Sequence, residues 1–367
     1  MQIPLVDLRA QHDQIRNEVA SGWSEVLERT AFVLGREVEE FEDAFAAFSG
    51  VAHCVGVANG TDALEMALRA SGIGPGDEVI LPANTFIASA LAVVRAGATP
   101  VLVDVDPVTQ LLDVELAADA VTAKTRAIMP VHLFGQMADM APLIGVAAEG
   151  GLTVVEDAAQ AQGATQNGVG AGGLGSIAGT SFYPGKNLGA YGDAGAVITN
   201  DATLARRVRA LRNYGSEVKY HHPEIGFNSR LDTLQAVVLS AKLRRLSKWN
   251  AQRRAAALRY DALLADLDRV VRPTTAVGNE HVWHLYVVRV DHRDRVLEAL
   301  HESGVGAGVH YPVPIHLQAA FAHLARPAGS FAHTEQAAGE ILSLPMFPEI
   351  TAEQQERVAN ALRSAIR

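Results

Sequence analysis

Residues 54–105 read CVGVANGTDALEMALRASGIGPGDEVILPANTFIASALAVVRAGATPVLVDV. Short apolar runs at 54–57, 78–81 and 100–103 predict strands, and the stretches 61–70 and 88–96 between them predict helices. The pattern continues with a strand at 127–131, a helix at 141–148 and a strand at 152–156. Strands that alternate with helices in this way indicate βαβ units and a largely parallel sheet. In such sheets ligands gather beyond the carboxyl ends of the strands. Working outward from the quoted stretch, that rule selects Asn59-Gly60-Thr61 after the first strand, Asn84-Thr85-Phe86 after the second, Asp104 to Asp106 after the third, and His132 and Asp157 after the next two.

After about residue 231 the pattern changes. Residues 231–267 predict one long helical stretch, followed by a strand at 285–290 and a helix at 293–302. The chain has 367 residues, more than the roughly 250–300 at which a single core stops growing. We therefore expect a large α/β domain over 1–245 and a smaller C-terminal α+β domain over 246–367. Hydrophobic residues make up 49% and charged residues 20%, the balance of an ordinary globular enzyme. The 31 basic and 41 acidic residues leave a net charge of −10, which argues against nucleic acid as a partner. The basic residues cluster at Arg206, Arg207, Arg209 and Arg212, and again at Arg244, Arg245, Lys248, Arg253 and Arg254. Each cluster is either a solvated helix face or a rim that attracts an anion. No apolar run approaches the ~20 residues that span a bilayer, and the N-terminus lacks the basic and apolar regions of a secretory signal. A single cysteine, Cys54, leaves no internal disulfide framework and fits a reducing cytoplasm.

Three segments carry chemistry. Val154-Val155-Glu156-Asp157-Ala158-Ala159-Gln160 delivers an aspartate at a strand end. A carboxylate there can hold a pyridinium nitrogen protonated, or simply cap a helix. In Ser181-Phe182-Tyr183-Pro184-Gly185-Lys186-Asn187-Leu188-Gly189, a Pro-Gly turn restricts the backbone of a lysine among small neighbours. A lysine that forms a Schiff base needs that confinement and a lowered pKa; otherwise it is a solvated loop residue. Asn59-Gly60-Thr61-Asp62 opens a helix whose N-terminal N–H groups, with the Thr61 hydroxyl, suit a phosphate, or form a plain capping turn. Phe86 can stack on a planar group or belong to the core.

Together these segments resemble fold type I of the pyridoxal-phosphate (PLP) enzymes, and more narrowly the DegT/DnrJ/EryC1/StrS sugar aminotransferases. The resemblance runs from Pro4-Leu5-Val6-Asp7-Leu8 through Gly60 to Leu64, Glu156 to Gln160 and Lys186, to Leu344-Pro345-Met346-Phe347-Pro348. It implies an α/β fold with a mixed, mostly parallel sheet flanked by helices, and PLP carried on Lys186 as a Schiff base. It further implies that Asp157 pairs with the pyridine nitrogen, that Gly60, Thr61 and Ser181 hold the phosphate, that Phe86 covers one ring face, and that Gln160 lies near the ring hydroxyl. Asn228, in Gly226-Phe227-Asn228-Ser229-Arg230-Leu231-Asp232, matches an asparagine that reaches the neighbouring subunit's phosphate, which implies a homodimer with shared sites. The chain departs from the family where Gln162 replaces a frequent histidine and where Ala194 interrupts a Gly-Asp-Gly-Gly run. Dehydratase relatives place histidine at the Lys186 position, so Lys186 favours transamination.

The loops Gly304 to Gln318 and Arg212 to His221 resemble those of enzymes that aminate C3 of thymidine-diphosphate-linked (dTDP) 3-keto-6-deoxy sugars, with L-glutamate as donor in a ping-pong cycle. In this view Tyr183, His310, Tyr311 and His316 contact the sugar, and Lys219 and Arg230 contact the diphosphate. Arg230 has the simpler alternative of pairing with Asp232, and each histidine that of an ordinary hydrogen-bonded ring. Three rivals stand beside this expectation: action at C4 or on an inositol ketone, a noncatalytic PLP-binding regulator, and a nicotinamide enzyme. The last lacks its G-x-G-x-x-G turn after the first strand.

Overall fold

The computed structural model describes residues 2–367. In chain order the strands are β1 (His53–Val57), β2 (Glu78–Pro82), β3 (Thr99–Val103), β4 (Thr125–Ile128), β5 (Thr153–Asp157), β6 (Thr165–Gln166), β7 (Val169–Gly170), β8 (Ile177–Ser181), β9 (Gly195–Thr199), β10 (Val270–Val271), β11 (Asn279–Glu280), β12 (Tyr286–Val290) and β13 (Ile341–Leu344). The helices are α1 (Leu8–Arg29), α2 (Arg36–Ser49), α3 (Gly60–Ala70), α4 (Ile87–Ala96), α5 (Val114–Asp119), α6 (Met140–Gly150), α7 (Ala202–Leu211), α8 (Thr233–Leu263), α9 (Arg293–Glu302), α10 (Ala332–Glu340) and α11 (Ala352–Ala365).

Seven strands form one mixed sheet in the order β1-β9-β8-β5-β4-β2-β3. Only β9 runs against its neighbours, pairing antiparallel with both β1 and β8; the other ladders are parallel. This matches the expected α/β architecture. Strands β1, β2 and β5 are buried along almost their whole length, as parallel strands covered by helices on both faces must be. The predicted strand at 127–131 is shorter and earlier than expected. Pro130 has no N–H to donate, so the ladder ends at Ile128, and only Val131 rejoins it through an isolated bridge to Asp157.

The small sheet β10-β12-β13 packs with α9, α11 and the end of α8 around Tyr260, Tyr286, Val288 and Leu342. Ile3 is buried in that same core, so the segment ahead of α1 reaches the C-terminal unit. The expected boundary at 245 falls inside α8, which runs unbroken across it. Leu246 still packs in the large-domain core, and Ala256 is the first helix residue in the small one.

Arg206, Arg207, Arg209, Arg244 and Lys248 are exposed, as a solvated helix face requires, while Arg212 and Arg253 are held by buried partners. Arg212 is buried against Glu42 and donates to the Gly56 carbonyl at 2.8 Å. Arg253 is buried and donates to the carbonyls of Trp283 and Met346 at 3.1 and 3.0 Å. Arg244 and Arg245 both pair with Glu18 of α1. Arg212 thus ties the end of α7 to α2, Arg244 and Arg245 tie α8 to α1, and Arg253 ties α8 to the segments at Trp283 and Met346.

Candidate active site

A cavity of about 800 Å³ opens at the carboxyl ends of β1, β2, β5 and β8. Its floor is Asn59, Gly60, Thr61, Thr85, Phe86, Ser89, Asp157, Ala159, Gln160, Ser181, Tyr183 and Lys186 from the large domain; His284, Leu285, His310 and Tyr311 face it from the small one. Ten of the fourteen expected site residues therefore meet in one place, although up to 251 positions separate them in sequence (60 to 311).

Asp157 ends β5 and is 4% exposed. Its Oδ2 accepts from the Ser89 hydroxyl at 2.7 Å and its Oδ1 from the Ala159 N–H at 3.1 Å. Ser89 is itself held by Thr85 at 2.8 Å. No helix begins directly after Asp157, so the capping alternative does not describe it. A buried carboxylate with only two donors retains lone pairs for a further partner in the cavity.

The Lys186 turn closes through its N–H, which donates to the Tyr183 carbonyl at 2.8 Å. A Cβ at Gly189 would lie 2.3 Å from the Pro184 oxygen, so only glycine lets the loop fold this tightly. Desolvation inside the cleft lowers the Lys186 ammonium to about 8, while the Asp157 carboxylate opposes the shift. A useful fraction of the amine is therefore uncharged at neutral pH.

At the other end of the cavity, Asn59 caps α3 by accepting from the Asp62 N–H at 2.8 Å. Among the described residues, the N–H groups of Gly60 and Thr61 are left without an acceptor. A Cβ at Gly60 would come 2.5 Å from Ser181 Cβ, so glycine brings the helix start flush against the end of β8. The helix dipole and free N–H groups suit an anion at that end. Ser229 fastens it from behind, donating to Asp62 at 2.7 Å.

Gln160 bridges two elements. Its Oε1 accepts from the Phe134 N–H at 2.6 Å, and its Nε2 donates to the Tyr311 hydroxyl at 3.1 Å. The Tyr311 ring lies 5.0 Å from that of half-exposed Phe86. Burial and the Asp157 charge push the Tyr311 phenol upward, so it stays protonated. His310 meets the Ser343 hydroxyl through Nδ1 at 2.8 Å. Desolvation, aided by Lys186, lowers its pKa to about 4. His284, which the sequence did not flag, is held well below its ordinary value for the same reasons and contacts Asn187 at 3.2 Å. Ser89 was also missed. Its only local signal is a place four residues after Thr85, and nothing nearby in sequence links it to Asp157.

The remaining four expected residues lie elsewhere in this chain. Asn228 and Arg230 line a neighbouring cavity of about 310 Å³ that shares Asp193 with the first. Arg230 donates to Asn228 Oδ1 at 2.6 Å and Asn213 Oδ1 at 3.1 Å and lies over the Tyr214 ring; these groups, not Asp232, are its partners. Lys219 is exposed beside Tyr220 and is not among the residues that line this chain's cavity. His316 is a correction. Its side chain is fully buried, with Nε2 3.0 Å from Glu335 and its ring edge-on to Phe331, and it is not among the residues that line the cavity. Gln162, which replaces the frequent histidine, also faces away: its amide reaches Thr180 and the Ser181 carbonyl at 2.9 and 2.8 Å.

The arrangement fits PLP on its own features. An acid, an amine of lowered pKa, open helix N–H groups and an aromatic ring line one cavity, a set of groups that suits a pyridine nitrogen, an aldehyde, a phosphate and a planar ring.

Comparison with known proteins agrees. Residues 13–363 match the model of the DegT/DnrJ/EryC1/StrS aminotransferase family. The chain is 48% identical to a pleiotropic regulatory protein of Geobacillus stearothermophilus, over 99% of this chain and 98% of that one. It is also 48% identical to dTDP-3-amino-3,4,6-trideoxy-alpha-D-glucose transaminase of Streptomyces venezuelae, over 98% and 95%. The crystal structure of S. venezuelae DesV in complex with a ketimine intermediate superposes with a TM-score of 0.98 at 47% identity, covering 100% of this chain and 99% of that one. The chain belongs to the DegT/DnrJ/EryC1/StrS aminotransferase family and is a PLP-dependent sugar aminotransferase.

Proposed function

We propose that the enzyme transfers the amino group of L-glutamate to C3 of a dTDP-linked 3-keto-6-deoxyhexose. The observation that carries this reading is the convergence of Lys186 and Asp157 with His310 and Tyr311 of the small domain in one cavity. A noncatalytic regulator would keep the first pair but has no use for the second. The name of the S. venezuelae transaminase supports a dTDP-sugar substrate.

When bound, PLP supplies an electron sink for the negative charge that develops on the substrate carbon. Asp157 would hold the pyridine nitrogen protonated, and Ser89 and Ala159 hold Asp157 in register. The N–H groups of Gly60 and Thr61, with the Ser181 hydroxyl, would bind the phosphate, and Phe86 would lie against the ring. Lys186 Nζ would take the proton from Cα of glutamate and pass it to the cofactor, and in the second half of the cycle take it back and deliver it to C3 of the sugar. His310 and Tyr311, both neutral at physiological pH, orient the sugar without adding charge, with Tyr183 at the mouth of the cavity. In this reading two copies associate in the cytoplasm, and Asn228, Arg230 and Lys219 of each serve the phosphate groups in the other's cavity.

A panel of 3-keto and 4-keto nucleotide sugars, dTDP- and UDP-linked, mixed with glutamate and scored for 2-oxoglutarate tests the assignment. Turnover is expected on dTDP-linked 3-keto sugars, and turnover confined to 4-keto sugars would overturn it.

A further inference from the structure

We propose that Asp104 is a positioning residue, a latch that fixes the small domain against the large one and so sets the place of His310 relative to Lys186. Asp104 leaves the end of β3 in the large domain. Its Oδ2 accepts from the His333 N–H at 2.9 Å. Its Oδ1 accepts from the Thr334 N–H at 2.8 Å and the Thr334 hydroxyl at 2.7 Å. These are donors of the first turn of α10. The residue at the N-cap of that helix is Phe331, whose side chain cannot cap. The unsatisfied N–H groups of the turn are thus met by a carboxylate 230 positions earlier, which also complements the positive end of the helix dipole.

The latch reaches the cleft through rigid elements. From Thr334 the chain continues along α10, where Ala337 packs on Leu285 and Val287. It then passes directly into β13, where Ser343 pairs with Gly308 through both backbone bonds, at 2.8 and 3.1 Å. The Ser343 hydroxyl holds His310 Nδ1 at 2.8 Å, which leaves Nε2 for the cavity. A displacement of α10 therefore carries Ser343 and His310 with it. The His316–Glu335 contact belongs to the same device. Glu335 also accepts from the N–H groups of Gly329 and Phe331, pinning the segment that leads into α10.

The proposal rests on the sugar aminotransferase reading, in which His310 meets the sugar and no small-domain residue is assigned to glutamate. Two measurements on purified holoenzyme separate them. With Asp104→Ala, hydrogen exchange is expected to accelerate in 332–344 and 305–311. KM for the keto sugar is expected to rise about 10-fold, as loss of charge-assisted hydrogen bonds implies, with the visible spectrum and the single-turnover rate with glutamate unchanged. Thr334→Val should give a smaller rise, and Thr334→Ser should restore wild-type behaviour. Unchanged exchange in those segments, or an equal loss in both half-reactions, would overturn the latch. A wild-type enzyme inactive on every sugar of the panel, while exchange still responds to Asp104→Ala, would overturn the substrate reading and leave the latch standing.

Discussion

Two desolvated lysines, one half-buried and one fully buried, invite comparison. Lys186 in the cleft and Lys242 in the middle of α8 are each lowered to about 8, in each case by desolvation first, with one carboxylate opposing it: Asp157 for Lys186 and Glu349 for Lys242. By that measure they are alike. Their surroundings differ. Lys186 hangs from a Pro-Gly turn into a cavity of about 800 Å³. Lys242 is 2% exposed, sits 5.0 Å over the Tyr191 ring, and has helix on either side. Tyr191 is in turn bonded to His12 at 2.6 Å. A perturbed pKa marks burial; it marks a reactive group only where a substrate can reach the amine.

Substitutions at the two sites should separate them. Lys186→Ala is expected to lower turnover by at least about 10⁴-fold, since it removes both the attachment point and the proton carrier. The visible absorption of the bound cofactor should change with it, and an unchanged spectrum would end the assignment. Next in size, Asp157→Asn keeps an acceptor for Ser89 but loses the charge, and should lower kcat by about 10²-fold or more. Steady-state kinetics with saturating PLP checks this; a kcat within twofold of wild type would refute the role.

Lys242→Met should leave kcat unchanged and alter only stability. A drop from 10.5 to about 8 corresponds to about 3 kcal/mol of strain on the charged form. Attraction between the ammonium and the Tyr191 ring offsets about 1 kcal/mol of it. Melting at pH 7 should therefore show the variant more stable by about 2 kcal/mol. The sign of the pH dependence follows. The unfolded chain binds the proton up to about 10.5 and the folded one only to about 8, so wild-type stability gains from this lysine as pH rises through that window. The variant should lack that gain. A fall in kcat for Lys242→Met would break the comparison.

The sites differ in how far they could be read in advance. Lys186, Asp157, Gly60 and Thr61 sit at strand ends or turn positions that local pattern announces. His316 was expected at the sugar because it lies close in sequence to His310, but the chain turns between them. Ile315 enters the large-domain core, and His316 is drawn to Glu335. Ser89, His284 and Asp104 carried no local mark of their partners, because each acts on a residue 68 or more positions away.

What the sequence by itself determined was the alternation of strand and helix, the confinement of Lys186 and the helix start at Gly60. These rest on side-chain periodicity and backbone restriction, which act over a few residues. What only the tertiary structure decided was the sheet order that places β8 beside β5, the side to which Gln162 points, and the capping of α10 by Asp104. Each depends on which buried donor finds which acceptor once the layers pack. That choice is made by proximity in space, and no local pattern along the chain encodes it.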